Sequence, residues 1–183
     1  SKKSQTSKNN NDGQYKYEGS FKRLVKFKFS KIDNFEENEP DIILYQEDII
    51  FFDNSGTLIR FDKFGDKVWK SNQYSKTEKK SKPFLFLANN KNILIVADNL
   101  SKYYAINIDN GKLLWSKNNS SPFNSQIKIF DDKFFIVDYE NVLHCYSLKS
   151  GSELWSFKTD NELIKSQKKL SVIIDNNIIY FNN

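Results

Sequence analysis

Gly65-Asp66-Lys67-Val68-Trp69, Gly111-Lys112-Leu113-Leu114-Trp115 and Gly151-Ser152-Glu153-Leu154-Trp155 are one five-residue phrase written three times, and together they hold every tryptophan of the chain. The tryptophans stand 46 and 40 residues apart. A repeat of roughly 40–45 residues is the length of a four-stranded propeller blade. A single blade cannot bury its own faces, so its neighbours must complete the core.

Working outward from the second copy, four short strands emerge: Phe84–Ala88, Ile93–Ala97, Lys102–Ile108 and Lys112–Ser116. The turns between them carry Asn, Asp or Gly, residues that tolerate positive φ in tight hairpins. The third copy repeats the pattern at Gln126–Phe130, Phe134–Asp138, Val142–Leu148 and Ser152–Phe157, and the first at Ile42–Gln46, Ile49–Asp53, Thr57–Asp62 and Asp66–Ser71. In the first copy the last hairpin, Lys63-Phe64-Gly65, is one residue tighter. A fourth copy begins with Leu170–Ile174 and Ile178–Phe181. The expected fold is all-β: a β-propeller of four-stranded antiparallel blades. Its repeats span about 41–72, 84–117, 126–158 and an incomplete 170–183, read as a truncated part of a seven- or eight-bladed ring.

Ahead of the repeats, residues 1–20 are rich in Ser, Lys, Asn and Gln without apolar periodicity and are expected to form a flexible polar, basic lead to a partial propeller over 21–183. Leu24–Phe29 alternates in period two, the mark of a half-buried strand. It is either the outer strand of a final blade donated by the N-terminus, or an unpaired strand. The formal net charge of +5 sits at the front: residues 1–35 hold nine Lys/Arg against three Asp/Glu, and the remainder nineteen against twenty. The repeats therefore carry no basic excess that would call for nucleic acid. With no methionine, the chain is expected to be a processed or excised segment. No run of 18 apolar residues is available to span a membrane.

Three copies of a motif point to structure, because a catalytic group is needed once. Gly65, Gly111 and Gly151 are read as left-handed hairpin residues. Trp69, Trp115 and Trp155 are read as largely buried indoles packed against the next blade, each N–H reaching a backbone carbonyl. His144 and Cys145 are the only histidine and cysteine. On a strand adjacent side chains take opposite faces, so the two cannot serve as base and nucleophile. Cys145 aligns with Ala105, a small core position, and His144 with Tyr104, read as half-exposed. Asp62, Asn107 and Ser147 are read as local turn formers. No acidic set has calcium spacing and no glycine-rich loop cradles a phosphate, so no catalytic residue, cofactor or metal is expected. The longest connection, Asn72 to Pro83, holds Tyr74, Lys76, Lys79, Lys80 and Lys82 and is the candidate partner loop.

The stretch Tyr104-Ala105-Ile106-Asn107-Ile108-Asp109-Asn110-Gly111-Lys112-Leu113-Leu114-Trp115 resembles the signature of pyrroloquinoline-quinone-like propeller repeats. Asn107 and Ser147 replace its usual aspartate, and Asn110 and Ser150 its usual threonine. WD repeats would place Asp directly after Trp, where this chain has Lys70, Ser116 and Ser156. Within the resemblance the chain is most similar to the BamB-like outer-membrane assembly factors, although the lipid-bearing cysteine of that branch is not in this segment. The resemblance implies a non-enzymatic, periplasmic scaffold near the outer membrane. It would bind protein partners, the barrel assembly machinery among them, and touch the membrane only indirectly or through an anchor outside the segment. The alternatives are a fragment of a quinone-dependent dehydrogenase, which would bring adjacent cysteines and calcium ligands, or a propeller that binds a small ligand at its central opening.

Overall fold

A computed structural model describes residues 41–158, 171–175 and 178–181. The expected lead over 1–20 and the expected strand Leu24–Phe29 lie outside these residues. Strands β1 (Ile43–Tyr45), β2 (Asp48–Phe52), β3 (Leu58–Phe61) and β4 (Lys67–Ser71) form the first blade. A short helix α1 (Lys76–Lys80) leads to the second blade, β5 (Leu85–Asn90), β6 (Ile93–Asp98), β7 (Lys102–Asn107) and β8 (Leu113–Asn118). The third is β9 (Lys128–Phe130), β10 (Lys133–Val137), β11 (Val142–Ser147) and β12 (Glu153–Lys158), and β13 (Val172–Asp175) pairs with β14 (Ile178–Phe181) in a fourth sheet. Every pairing is antiparallel and sequential.

Period-two side-chain alternation gives each sheet two apolar faces. Ile50, Phe52 and Leu58 of the first blade meet Leu85, Leu87, Leu94, Val96, Tyr104 and Ile106 of the second. The opposite face of the second, with Phe86, Ile95, Tyr103 and Ala105, meets Phe134, Ile136 and Tyr146 of the third. Phe135, Val137, Leu143 and Cys145 then meet Val172. The first strands β1, β5, β9 and β13 adjoin one another in turn, so the sheets fan outward from them. The molecule is an all-β propeller assembly of four-stranded antiparallel blades. The meander places the glycine hairpins on one side and the second-to-third strand turns, with the connections between blades, on the other.

One joint recurs between blades. The fourth strand bulges beside the tryptophan, with Val68, Leu114 and Leu154 as the extra residues: Arg60 faces Trp69, Ala105 faces Trp115 and Cys145 faces Trp155. The Trp69 indole N–H donates to the Ile108 carbonyl at 2.6 Å, and that of Trp115 to the Leu148 carbonyl at 3.2 Å. Each ring lies on the glycine of the next hairpin. A Cβ on Gly111 would sit 2.9 Å from the Trp69 ring and one on Gly151 2.6 Å from the Trp115 ring, so these left-handed glycines serve backbone angle and space alike.

The expectation of three largely buried tryptophans needs correction. Trp69 is 8% exposed, Trp115 is half-buried and Trp155 is 42% exposed. The described part of the fourth sheet contains no glycine hairpin to receive Trp155, which instead leans on Phe135 at 5.9 Å.

Candidate functional site

The connection from β4 to β5 is where the sequence pointed for partners, and the structure divides it into two parts. Tyr74 is not a surface contact. It is 5% exposed, its ring lies over Gly56, and its hydroxyl donates to Asp98 Oδ2 at 2.6 Å. Burial pushes the phenol far above the ordinary tyrosine range. The correction has a plain cause: Asn72 turns the chain inward, its side chain donating to the Ser55 carbonyl and to Thr57 Oγ1 while its own carbonyl oxygen accepts the Tyr74 amide. Beyond Tyr74, Ser75 caps α1 reciprocally with Glu78. Lys76, Lys80 and Lys82 are exposed and Lys79 is half-buried, Lys82 holding a left-handed φ of 50°. The helix is fastened to the second blade through an ion pair between Glu78 and Lys102, whose ammonium also donates to the Gln73 carbonyl and lies over the Tyr74 ring. The Lys102 hydrogen bond and two from Ser75 hold the Glu78 carboxyl down at about 2.

The Asp98 beneath this connection belongs to a set that the sequence reading missed. Asp53, Asp98 and Asp138 stand at the ends of the second strands of their blades, Asp98 as the last residue of β6 and the other two directly after β2 and β10, and all are buried. In each, Oδ1 accepts the amides two and four residues ahead: Ser55 and Thr57, Leu100 and Lys102, Glu140 and Val142. This closes the second-to-third strand turn. The free oxygen then holds the incoming connection, Tyr74 in one case and Asn119 in another, at 3.2 Å. Their spacing of 45 and 40 residues runs alongside that of the tryptophans, and that was the legible signal.

His144 also differs from its expected half-exposed setting. It is 5% exposed, with Nε2 3.0 Å from Asp138 Oδ2 and Nδ1 2.9 Å from Glu153 Oε2. Burial works to lower its pKa, but the two carboxylates outweigh it and hold it above the ordinary histidine range. Cys145 points the other way, into the apolar layer against Val172, where burial pushes its thiol up. The pair therefore shares no reacting centre. Arg60, at the step taken by Ala105 and Cys145 elsewhere, bridges Asp48 at 2.6 Å and donates to the Ile108 carbonyl at 3.0 Å. Asp62 and Asn107 act as expected, each accepting amides of the coming turn. Among the described residues no three of His, Cys, Asp and Glu gather into a metal-holding group, and no helix is long and apolar enough to cross a membrane.

What remains for recognition is surface. The helix α1 raises its lysines on the side of the blade connections. The outer strand β12 is exposed along all six residues, including Leu154, Trp155 and Phe157. Its counterparts β4 and β8 tuck their tryptophans further in and place Ser71 and Lys117 where β12 has Phe157.

Residues 45–183 match the family model described as outer membrane protein assembly factor BamB. A search of curated proteins finds no match. Among solved structures the chain is similar to BamB from Moraxella catarrhalis, at 14% identity and a TM-score of 0.61, over 74% of this chain and 43% of that one. It is similar to the computationally designed Ika4 protein at 12% identity and a TM-score of 0.60, over 82% of this chain and 88% of that one. It is also similar to quinohemoprotein alcohol dehydrogenase from Comamonas testosteroni at 15% identity and a TM-score of 0.56, over 66% and 21%. The chain thus spans less than half the length of the Moraxella protein.

Proposed function

This chain belongs to the family of the outer membrane protein assembly factor BamB, and from that premise we propose that it is a non-catalytic propeller scaffold that docks other proteins in outer-membrane β-barrel assembly. The observation that carries the reading is the family match across all four repeats. The site geometry supports it. The polar side chains that recur from blade to blade are committed to turns and blade joints, leaving exposed lysines on α1 and an exposed edge on β12 for partners. Lys76, Lys80 and Lys82 would meet acidic partner surfaces, and the β12 edge would accept an extended segment by strand addition. A scaffold of this kind would act in the periplasm, held near the outer membrane through its partners.

Affinity purification of the protein from its own cells, with barrel-assembly subunits sought among the captured proteins, tests the proposal. Their recovery, reduced by charge reversal at Lys76 and Lys80, is expected. The rival is a quinone-dependent dehydrogenase, whose fold is shared at low identity. Dye reduction with alcohols or aldose sugars that requires added pyrroloquinoline quinone and calcium would overturn the scaffold reading.

A further inference from the structure

His144 is the single histidine of the chain, and each of its ring nitrogens meets a carboxylate. A neutral imidazole has one N–H and would turn a lone pair toward one of the two acceptors. Only the imidazolium donates to both. We infer that His144 is a proton-held clasp that ties the exposed outer strand β12 to the connection between the second and third blades, and that losing its proton frees the β12 side.

The two arms of the clasp differ. On the inner arm the Asp138 side chain is 2% exposed, closes the β10–β11 turn through Oδ1, and accepts from Asn119 of the connection through Oδ2. Asn119 Oδ1 in turn accepts the Tyr146 hydroxyl at 3.2 Å. On the outer arm the Glu153 side chain is 43% exposed and accepts Ser156 Oγ at 3.1 Å through Oε1, so it belongs wholly to β12. The imidazole stacks on Tyr146 of β11 at 5.5 Å and meets Phe123 of the connection edge-on at 6.3 Å, while Tyr103 of β7 lies behind Tyr146 at 4.7 Å. The titratable groups around it are thus Asp138, Glu153, Tyr146 and Tyr103, and among the described residues no lysine or arginine bridges either carboxylate.

When the proton leaves, the remaining N–H stays on Nε2, because Asp138 is buried and has no water to replace it. Nδ1 then presents a lone pair to Glu153, which swings into solvent. The device belongs to this blade alone: the steps of His144 and Glu153 are filled by Ile59 and Lys67 in the first blade and by Tyr104 and Leu113 in the second. A group with a raised folded-state pKa stabilises fully below its unfolded value, and the gain is lost as pH rises through the folded one. The third blade is therefore held most tightly below the ordinary histidine pKa and loosens as pH rises through the raised folded value. The clasp stands whether or not the scaffold reading holds.

With one histidine, the imidazole signals in a heteronuclear NMR titration of the whole chain need no assignment by mutation. The expected result is a midpoint above the ordinary histidine value of about 6.5, a neutral form protonated on Nε2, and exchange of the Trp155–Lys158 amides that accelerates relative to β8 across that midpoint. Glu153→Gln is expected to lower the midpoint and to abolish the pH dependence of β12 exchange while the fold persists. A midpoint at or below the ordinary value, β12 exchange that tracks β8 throughout, or an unchanged response in Glu153→Gln would each overturn the clasp.

Discussion

Trp69 and Trp155 stand four residues after a left-handed glycine, at the same step of the same hairpin, yet one is 8% exposed and the other 42%. The difference lies in what each ring meets. Trp69 has the Gly111 hairpin beneath it and the Ile108 carbonyl at its N–H, whereas Trp155 touches Phe135 of its own blade. Local sequence sets where the indole stands, and the following blade sets whether it is buried. If so, Trp69→Ala should cost about 3–5 kcal/mol, as for other buried aromatic truncations, and Trp155→Ala less than about 1 kcal/mol. Urea unfolding midpoints of the two variants measure this directly. Similar losses at both positions would break the comparison.

The glycines sharpen it. Gly151 holds φ of +66° and a methyl group there would come within 2.6 Å of the Trp115 ring. Left-handed strain of about 1–2 kcal/mol adds to overpacking of about 1–3 kcal/mol, so Gly151→Ala should cost about 2–5 kcal/mol. In a Trp115→Ala background the overpacking has no partner and only the strain should remain. A double-mutant cycle therefore isolates the contact between blades, and full additivity would mean that ring and hairpin do not meet.

A third contrast lies inside one connection. Tyr74→Phe removes the hydroxyl from a buried Asp98 oxygen and should cost about 1–3 kcal/mol, while Lys80→Gln, a few residues on and exposed, should leave the unfolding midpoint where it was. Thermal unfolding of the two variants side by side checks the ordering. A tyrosine embedded among Lys76, Lys79, Lys80 and Lys82 gives no periodic sign of burial, which is why the sequence read it as surface. Its burial comes from Gly56 and Asp98, 18 residues before and 24 after it. The repeated glycines and tryptophans were legible because each unit restates them, and so was the tighter first hairpin, where the Gly65 amide bonds three residues back rather than four. The aspartates at 53, 98 and 138 were equally periodic but looked like ordinary turn residues. His144 was read as half-exposed although the step it shares with Ile59 and Tyr104 is buried in all three blades; its partner Glu153 gave no periodic sign, because it occupies a step that the other blades fill with Lys67 and Leu113.

Asp98 and Asp138 carry the smallest effect and the finest test. They occupy equivalent steps and cap equivalent turns, but the free oxygen of one meets a phenol and that of the other an imidazolium. For Asp98 burial dominates, outweighing the hydrogen bonds from Tyr74 and from the Lys102 and Leu100 amides, and its pKa is raised. For Asp138 burial pushes the same way but is overcome by His144 and by the Val142 and Glu140 amides, and its pKa is lowered. The signs of the linkage are opposite. The Asp98 contribution is present below the unfolded aspartate pKa and is lost as pH rises through its folded value. The Asp138 contribution is present above the unfolded pKa and is lost as pH falls through its folded value. Carboxyl carbon shifts followed from neutral to acid pH should therefore give Asp98 a midpoint above the ordinary aspartate range and Asp138 one below it. His144→Gln should raise the Asp138 midpoint and leave that of Asp98 in place. Coincident midpoints in the parent protein would show that the turn, and not the partner of the free oxygen, governs both.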